Sequence, residues 1–261
     1  MTEEHAVEYT DGFIGALELV WGDGFLSPGG EEEIALFLEG LDITGKHVLD
    51  VGCGTGGCDV VLVQRHGAAS VHGIDVEQPV LDLSVARAAE QQLSDKLTYE
   101  RVSPGPFPFP DQSFDVVFSK DAMIHIEDKH ALFAEVFRVL RPGGLFVASD
   151  WMRIDEEPPG PAAQHWLDVV ELTFGMHSPP YYVEALEKAG FEGIKMRDRN
   201  EFLVQALRDD VEVLTGSGHE ELKRRAGNEA DHFIDVWKAG LGAAESGELR
   251  PGHMRGFKPA G

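Results

Sequence analysis

Residues 52–57 read Gly-Cys-Gly-Thr-Gly-Gly, directly after the apolar run His47-Val48-Leu49-Asp50-Val51. A glycine turn between a strand and a helix serves a ligand that lies against the backbone. Glycine has no Cβ, so peptide N–H groups can meet such a ligand directly. Two spacings coexist here. Gly52, Gly54 and Gly57 satisfy G-x-G-x-x-G, the dinucleotide fingerprint, while Gly52, Gly54 and Gly56 give G-x-G-x-G. Asp75 ends the next apolar run and suits a ribose diol in either case. The turn alone leaves NAD and S-adenosylmethionine (SAM) open as ligands, beside the plainer reading of a tight turn that binds nothing. Asp50 favours SAM. A carboxylate just before the turn suits a cationic sulfonium ligand and repels a pyrophosphate.

The flanking sequence alternates in type. His47–Val51, Ser70–Asp75, Leu97–Val102, Phe114–Ser119 and Leu145–Ser149 are short apolar runs that read as strands. Thr55–His66, Val80–Leu93 and His130–Leu140 read as helices, the last ended by Arg141-Pro142-Gly143-Gly144. Helix–strand alternation predicts an α/β fold, a Rossmann-like doubly wound sheet that is mostly parallel. Met254–Lys258 supplies an antiparallel edge strand and Ile194–Arg197 a further strand. We expect one domain over 1–261, with an N-terminal helical cap (1–40) and a ligand-binding core (45–150). Lid helices (151–190) include Ala163–Phe174 and Tyr181–Ala189, and 191–261 forms the C-terminal part of the fold, with Phe202–Trp237 helical. Open sheets of this kind bind ligands at the C-terminal edge, where cap and lid would close.

Aspartate and glutamate number 46 against 22 lysines and arginines, a formal net charge of −24. That field repels phosphate backbones and anionic bilayers, so neither nucleic acid nor membrane is an expected partner. It favours a small cationic amine, although solubility alone is the simpler account. The two cysteines, Cys53 and Cys58, sit at the turn and suggest no disulfide framework. No His/Cys/Asp cluster has metal-ligand spacing, so no metal is expected. The start lacks a basic segment followed by an apolar stretch, and no apolar run approaches ~18 residues. A cytoplasmic location follows as the expectation, with the oligomeric state left open.

Longer stretches carry a family resemblance. Val48–Gly57 is similar to motif I of class I SAM-dependent methyltransferases, and Gly73-Ile74-Asp75 to their acidic ribose-binding strand end. Phe107–Val117 and Val139–Gly144 resemble the family's approaches to strands four and five. Trp21–Gly30, Ser119–Ile126 and Gly247–Arg255 resemble phosphoethanolamine N-methyltransferases, a group that shades into sarcosine and dimethylglycine methyltransferases. The resemblance implies a class I methyltransferase fold with a helical lid, SAM as donor and S-adenosylhomocysteine as product. It also implies N-methylation of a small polar amine, most simply a phosphobase. An NAD-dependent oxidoreductase and a non-catalytic SAM-binding protein are the rival readings.

The resemblance assigns roles by position. Asp50, Gly52, Gly54, Gly56, Asp75 and Val76 would hold the donor, with Ser103 where the family commonly has an adenine-reading acid. Ser27 and Lys120 would face the donor's carboxylate end. His125 is the expected base, Tyr9 its latch and Asp121 the partner of the cationic nitrogen. A primary amine in water has a pKa near ~10 and so arrives protonated, and the lone pair must be uncovered before attack. The family's phosphate-holding lid positions fall on Asp168, Leu172 and Phe174, with Trp151 and Leu17 at two further positions; none of these can replace a tyrosine or arginine there. Lys238 remains as an anion partner. Trp21, Trp151 and Phe174 suggest instead an aromatic wall for a methylated ammonium.

Overall fold

The computed structural model describes residues 9–261, so the first eight residues of the expected cap lie outside the described residues. The chain folds as α1 (Asp11–Trp21), α2 (Gly30–Phe37), β1 (His47–Val51), α3 (Gly57–Gln64), β2 (Ser70–Asp75), α4 (Gln78–Glu90), β3 (Leu97–Arg101) and β4 (Phe114–Lys120). A 3₁₀ turn (Met123–His125) precedes α5 (Lys129–Val139) and β5 (Leu140–Asp150). Then come α6 (Pro161–Val170), α7 (Pro179–Ala189), β6 (Glu192–Asp198), α8 (Asn200–Thr215), α9 (His219–Ala226), α10 (Ala230–Glu245) and β7 (Gly252–Phe257).

Seven strands form one sheet in the order β3-β2-β1-β4-β5-β7-β6. The pairs β1–β2, β1–β4, β2–β3 and β4–β5 are parallel, and β7 runs antiparallel to both neighbours. The antiparallel strand expected at Met254–Lys258 is present, one place in from the edge, with β6 outermost. Strand alternation sends successive side chains to opposite faces. Leu49, Val117 and Phe146 join one core with Phe133, Tyr182 and Leu186 of α5 and α7. Val48, Phe118 and Val147 join the other with Ile34, Phe37 and Leu62 of α2 and α3.

A third core lies beyond the sheet. Leu17 of α1, Trp166 of α6, Leu203 and Leu207 of α8, Leu222 of α9 and Trp237 of α10 pack together as a helical cap. This redraws the expected lid. Helix α7 leaves it, because Tyr182, Ala185 and Leu186 fill the sheet core against α5. Helices α8–α10 join it, because their apolar faces meet α1 and α6 rather than the sheet. No helix among the described residues is long and apolar enough to cross a membrane.

Candidate active site

The glycine turn leaves β1 at the sheet's C-terminal edge. Gly52, Gly54 and Gly56 have φ of 75°, 52° and 79°, which L side chains rarely adopt. A Cβ on Gly52 would lie 2.3 Å from the Ala122 Cβ, so the turn and the end of β4 touch with no room for a methyl group. Asp75 closes the turn from the next strand. Its Oδ2 accepts from the Gly54 N–H at 3.0 Å and its Oδ1 from the Glu77 N–H at 3.0 Å.

Behind the turn lie buried carboxyls. Asp50 Oδ1 and both Asp59 carboxyl oxygens have no hydrogen-bond partner among the described residues. Burial and the nearby Asp59 hold the Asp50 carboxyl well above the usual range, and burial pushes Asp59 up to about 7. A cation beside Asp50 would supply what this cluster lacks. A cavity of about 740 Å³ opens here and is lined by Asp50, Gly52, Gly54, Asp75, Val76 and Ser103. Its size, its side-chain-free turn and its acidic end fit a nucleoside-sized ligand with a positive charge, as SAM has.

Lys120 ends β4 at the rim of this cavity. Its Nζ donates to Ser27 Oγ at 2.6 Å, to the Pro28 carbonyl at 2.9 Å and to Asp121 Oδ2 at 2.8 Å. Asp121 follows in the left-handed region, φ 56°, an uncommon conformation for a residue with a side chain. Its other oxygen accepts from Ser149 Oγ at 2.9 Å, and its backbone N–H donates to the Ser149 carbonyl at 2.9 Å. The strained turn thus directs the carboxylate into the gap between cavity and cap.

The 3₁₀ turn that follows carries His125. It is fixed from three sides. The Ile124 N–H donates to Asp150 Oδ1 at 2.9 Å, and the Tyr182 hydroxyl donates to the other oxygen of that buried carboxyl. Lys129, also buried, donates to the carbonyls of Met123 (2.7 Å), Ile126 and Gly175 (2.8 Å). The Gly175 N–H returns a bond to the Ile124 carbonyl at 2.7 Å. Tyr9 Oη lies 3.3 Å from His125 Nε2. Burial, with a smaller push from the Lys129 charge, lowers the His125 pKa to about 4, so the ring is neutral at pH 7. Lys129→Met should leave three buried carbonyls short of a donor and lower stability by about 2–4 kcal/mol, read as a shift in chemical-denaturation midpoint.

A second, smaller cavity of about 90 Å³ lies under the cap. Trp21, Trp151 and Phe174 line it as the sequence suggested, together with Phe13, Trp166 and Trp237, which sequence reading did not single out. Tyr9, Leu26, Ser27, Asp121 and His125 line both cavities and therefore mark their junction. Lys238 requires correction. It is exposed, because its neighbours Val236, Trp237 and Gly240 take the inward face of α10. Asp168 is exposed too, where it accepts from Gln164 Nε2 at 2.8 Å. Asp210 was also missed. It is buried and accepts from both the Trp21 and Trp237 indole N–H groups, at 2.8 and 3.2 Å. Its only sequence signal was a charge at an inward helical position, two residues from a heavily acidic face.

Residues 48–144 match the methyltransferase domain family. With the seven-stranded order and the turn geometry, they make this chain a carrier of a class I SAM-dependent methyltransferase domain. Within that class it is similar to phosphoethanolamine N-methyltransferases. It shares 31% identity over 94% of its length with enzyme 1 of Arabidopsis thaliana, and 24% over 96% with the Plasmodium falciparum enzyme. It covers 49% of the plant protein and 93% of the parasite one, so it spans about half the length of its plant relatives. Among solved structures, phosphoethanolamine N-methyltransferase 2 of Haemonchus contortus superposes with a TM-score of 0.86 at 25% identity, over 97% of this chain and 59% of that one. That structure holds S-adenosylhomocysteine and phosphomonomethylethanolamine.

Proposed function

We propose that this chain is a SAM-dependent N-methyltransferase acting on a small polar amine, of the phosphobase-methylating kind its relatives' names describe. The observation that carries the reading is the junction. Tyr9, Asp121 and His125 stand where a nucleoside-sized cavity meets a small aromatic one. When bound, the donor supplies a methyl group on an electron-poor sulfonium. Asp75 would hold its ribose, Val76 and Ser103 would flank its adenine, and Asp50, Ser27 and Lys120 would face its methionyl end.

The chain's residues then prepare the acceptor. Asp121 draws the cationic nitrogen toward the junction. The desolvation that depresses His125 also depresses the pKa of an amine beside it, which narrows the gap between the two. Neutral His125 receives the amine proton, and Tyr9 holds the ring in place through their hydrogen bond. Positioning two reactants across one opening contributes the larger share of the acceleration. The free cysteines at the turn are compatible with a reducing compartment, and we infer that the enzyme works in the cytoplasm on a freely diffusing substrate.

Calorimetry with SAM and NAD side by side tests the donor. Saturable SAM binding and no NAD binding are expected, and the reverse would replace the reading with an oxidoreductase. Because the Asp50–Asp59 pair is held protonated above the normal carboxyl range, a cationic donor should displace a proton on binding. Affinity should then rise with pH through about 7. Titrations in two buffers of different ionisation enthalpy read the released proton directly. Bound SAM with no methylated product from a panel of amines would favour a non-catalytic binding protein.

A further inference from the structure

Gly57 completes one of the two glycine spacings, yet it does not line the donor cavity. Its φ is not positive, so the backbone conformation alone does not demand a glycine there. A neighbour does. A Cβ on Gly57 would stand 2.3 Å from the Gly24 carbonyl oxygen, and one on Gly24 would stand 2.9 Å from the Gly57 Cα. The Gly57 N–H donates to that same carbonyl at 3.1 Å. The segment between α1 and α2 therefore lies directly on the start of α3, backbone against backbone. Gly24, Leu26 and Ser27 of this segment then line the donor cavity. They form a wall that the sheet itself does not supply.

Arg87 of α4 holds this wall. Its Nε donates to the Thr55 carbonyl of the glycine turn at 2.9 Å. Nη1 donates to Asp23 Oδ2 at 2.5 Å, and Nη2 donates to Asp23 Oδ1 and to Glu18 Oε1, both at 3.1 Å. Glu18 Oε1 also accepts from the Gly24 N–H at 2.8 Å. One guanidinium thus joins the glycine turn, α1 and the segment over the cavity. Its planar fork meets three acceptors at once, which a single ammonium does not. The Arg87 side chain is 13% exposed and lines no part of the donor cavity. The far end of the segment is fixed by Lys120, through Ser27 Oγ and the Pro28 carbonyl.

We propose that Arg87 is a positioning residue for the donor: by tying Asp23 and Glu18 to the glycine turn, it sets residues 22–28 as a cavity wall before SAM arrives. The inference rests on the donor site of the proposed function and is independent of which amine is methylated. A wall already in place spares the donor the entropy of ordering it on binding. SAM and S-adenosylhomocysteine lie against the same wall, so both gain equally. The clamp therefore acts on affinity and leaves the methyl-transfer step alone.

The test titrates SAM and S-adenosylhomocysteine by calorimetry into the parent, Arg87→Ala, Asp23→Ala and the double variant. Hydrogen exchange over residues 22–28 is followed in the same proteins without ligand. Arg87→Ala should raise both Kd values by ~10-fold or more and speed exchange in that segment, with kcat at saturating SAM within ~3-fold of the parent. Asp23 is 81% exposed, so Asp23→Ala should weaken SAM by only ~3-fold. In the Arg87→Ala background it should add nothing, because its partner is already gone. A lower denaturation midpoint with parent-like affinities would make Arg87 a stability residue alone and overturn the inference. If Arg87→Ala does not fold, Asp23→Ala carries the test, since its side chain lies at the surface: affinity and exchange both unchanged in that variant would sink the proposal. A parent that binds no SAM would remove the donor reading and the inference together, whereas a SAM-binding parent with indifferent variants removes the inference alone.

Discussion

His125→Ala should lower turnover of primary and secondary amines by about 10²-fold or more while SAM affinity stays within a few-fold of the parent. The His125 ring lines both cavities, and its Nε2 faces the Tyr9 hydroxyl at 3.3 Å. It makes no contribution to the glycine turn or to Asp75, so the donor should bind without it. A tertiary amine, which has no proton to lose, should suffer a smaller loss than a secondary one. Parallel rate measurements with the two acceptors separate proton acceptance from simple packing: equal losses with both would assign His125 a purely spatial role.

The low pKa of this ring also affects stability. The unfolded chain protonates His125 near pH 6.5, the folded chain only near 4. Between those values the unfolded state binds more protons, so stability is lost as pH falls through that window and is fully retained above it. The effect is of order 3 kcal/mol at pH 4. Asp59 and Asp150, both raised to about 7 by burial, act with the opposite sign, since their protonated forms favour the folded state. Denaturation midpoints of parent and His125→Ala protein measured from pH 4 to 7 should converge at the acidic end.

Gly52→Ala should abolish measurable donor binding, a loss of ~10²-fold or more, in a chain that still folds. Two penalties coincide at this residue. Its φ of 75° costs a residue with a side chain about 1–2 kcal/mol, and its Cβ would stand 2.3 Å from the Ala122 Cβ. Neither atom belongs to a flexible side chain, so relief requires moving the turn away from β4. That displaces the Gly54 N–H from Asp75 and narrows the donor cavity. Gly54→Ala offers the contrast. Its new methyl group meets Leu26 Cδ1 at 2.9 Å, the end of a side chain that can rotate. Calorimetric SAM titration of both variants, with circular dichroism to verify folding, should give a complete loss in the first and a partial loss in the second.

Much of this was written locally in the sequence. The strand–turn–helix at 47–64 needs only an apolar run, closely spaced glycines and a helical stretch, all within one short segment. The placement of Asp75 and Asp50 beside the cavity followed from their distance to that turn. Non-local features were harder to read. The place of β7 between β5 and β6 depends on pairing Met254 with both Ala148 and Met196, contacts that no short window contains. The α8–α10 helices look like ordinary amphipathic helices, and nothing in their periodicity says whether the apolar face meets a sheet or another helix. Lys238 failed on rotation: one position along α10 separates it from Trp237, which lines the smaller cavity while the lysine is exposed. Asp210 was hidden because a buried acid and an exposed one are the same letter until its two indole partners, one of them 189 residues away, are in view.

The two sides of the junction come from different parts of the fold. Behind His125, the loop at Gly175 is tied to the 3₁₀ turn by Lys129 and by a backbone hydrogen bond. In front of it, Tyr9 leads into α1, packs its ring against Phe13 and brings its hydroxyl to 3.3 Å from the imidazole. The imidazole thus belongs to the framework of the sheet and the phenol to the helical cap, so any shift of one body against the other alters the opening between the two cavities.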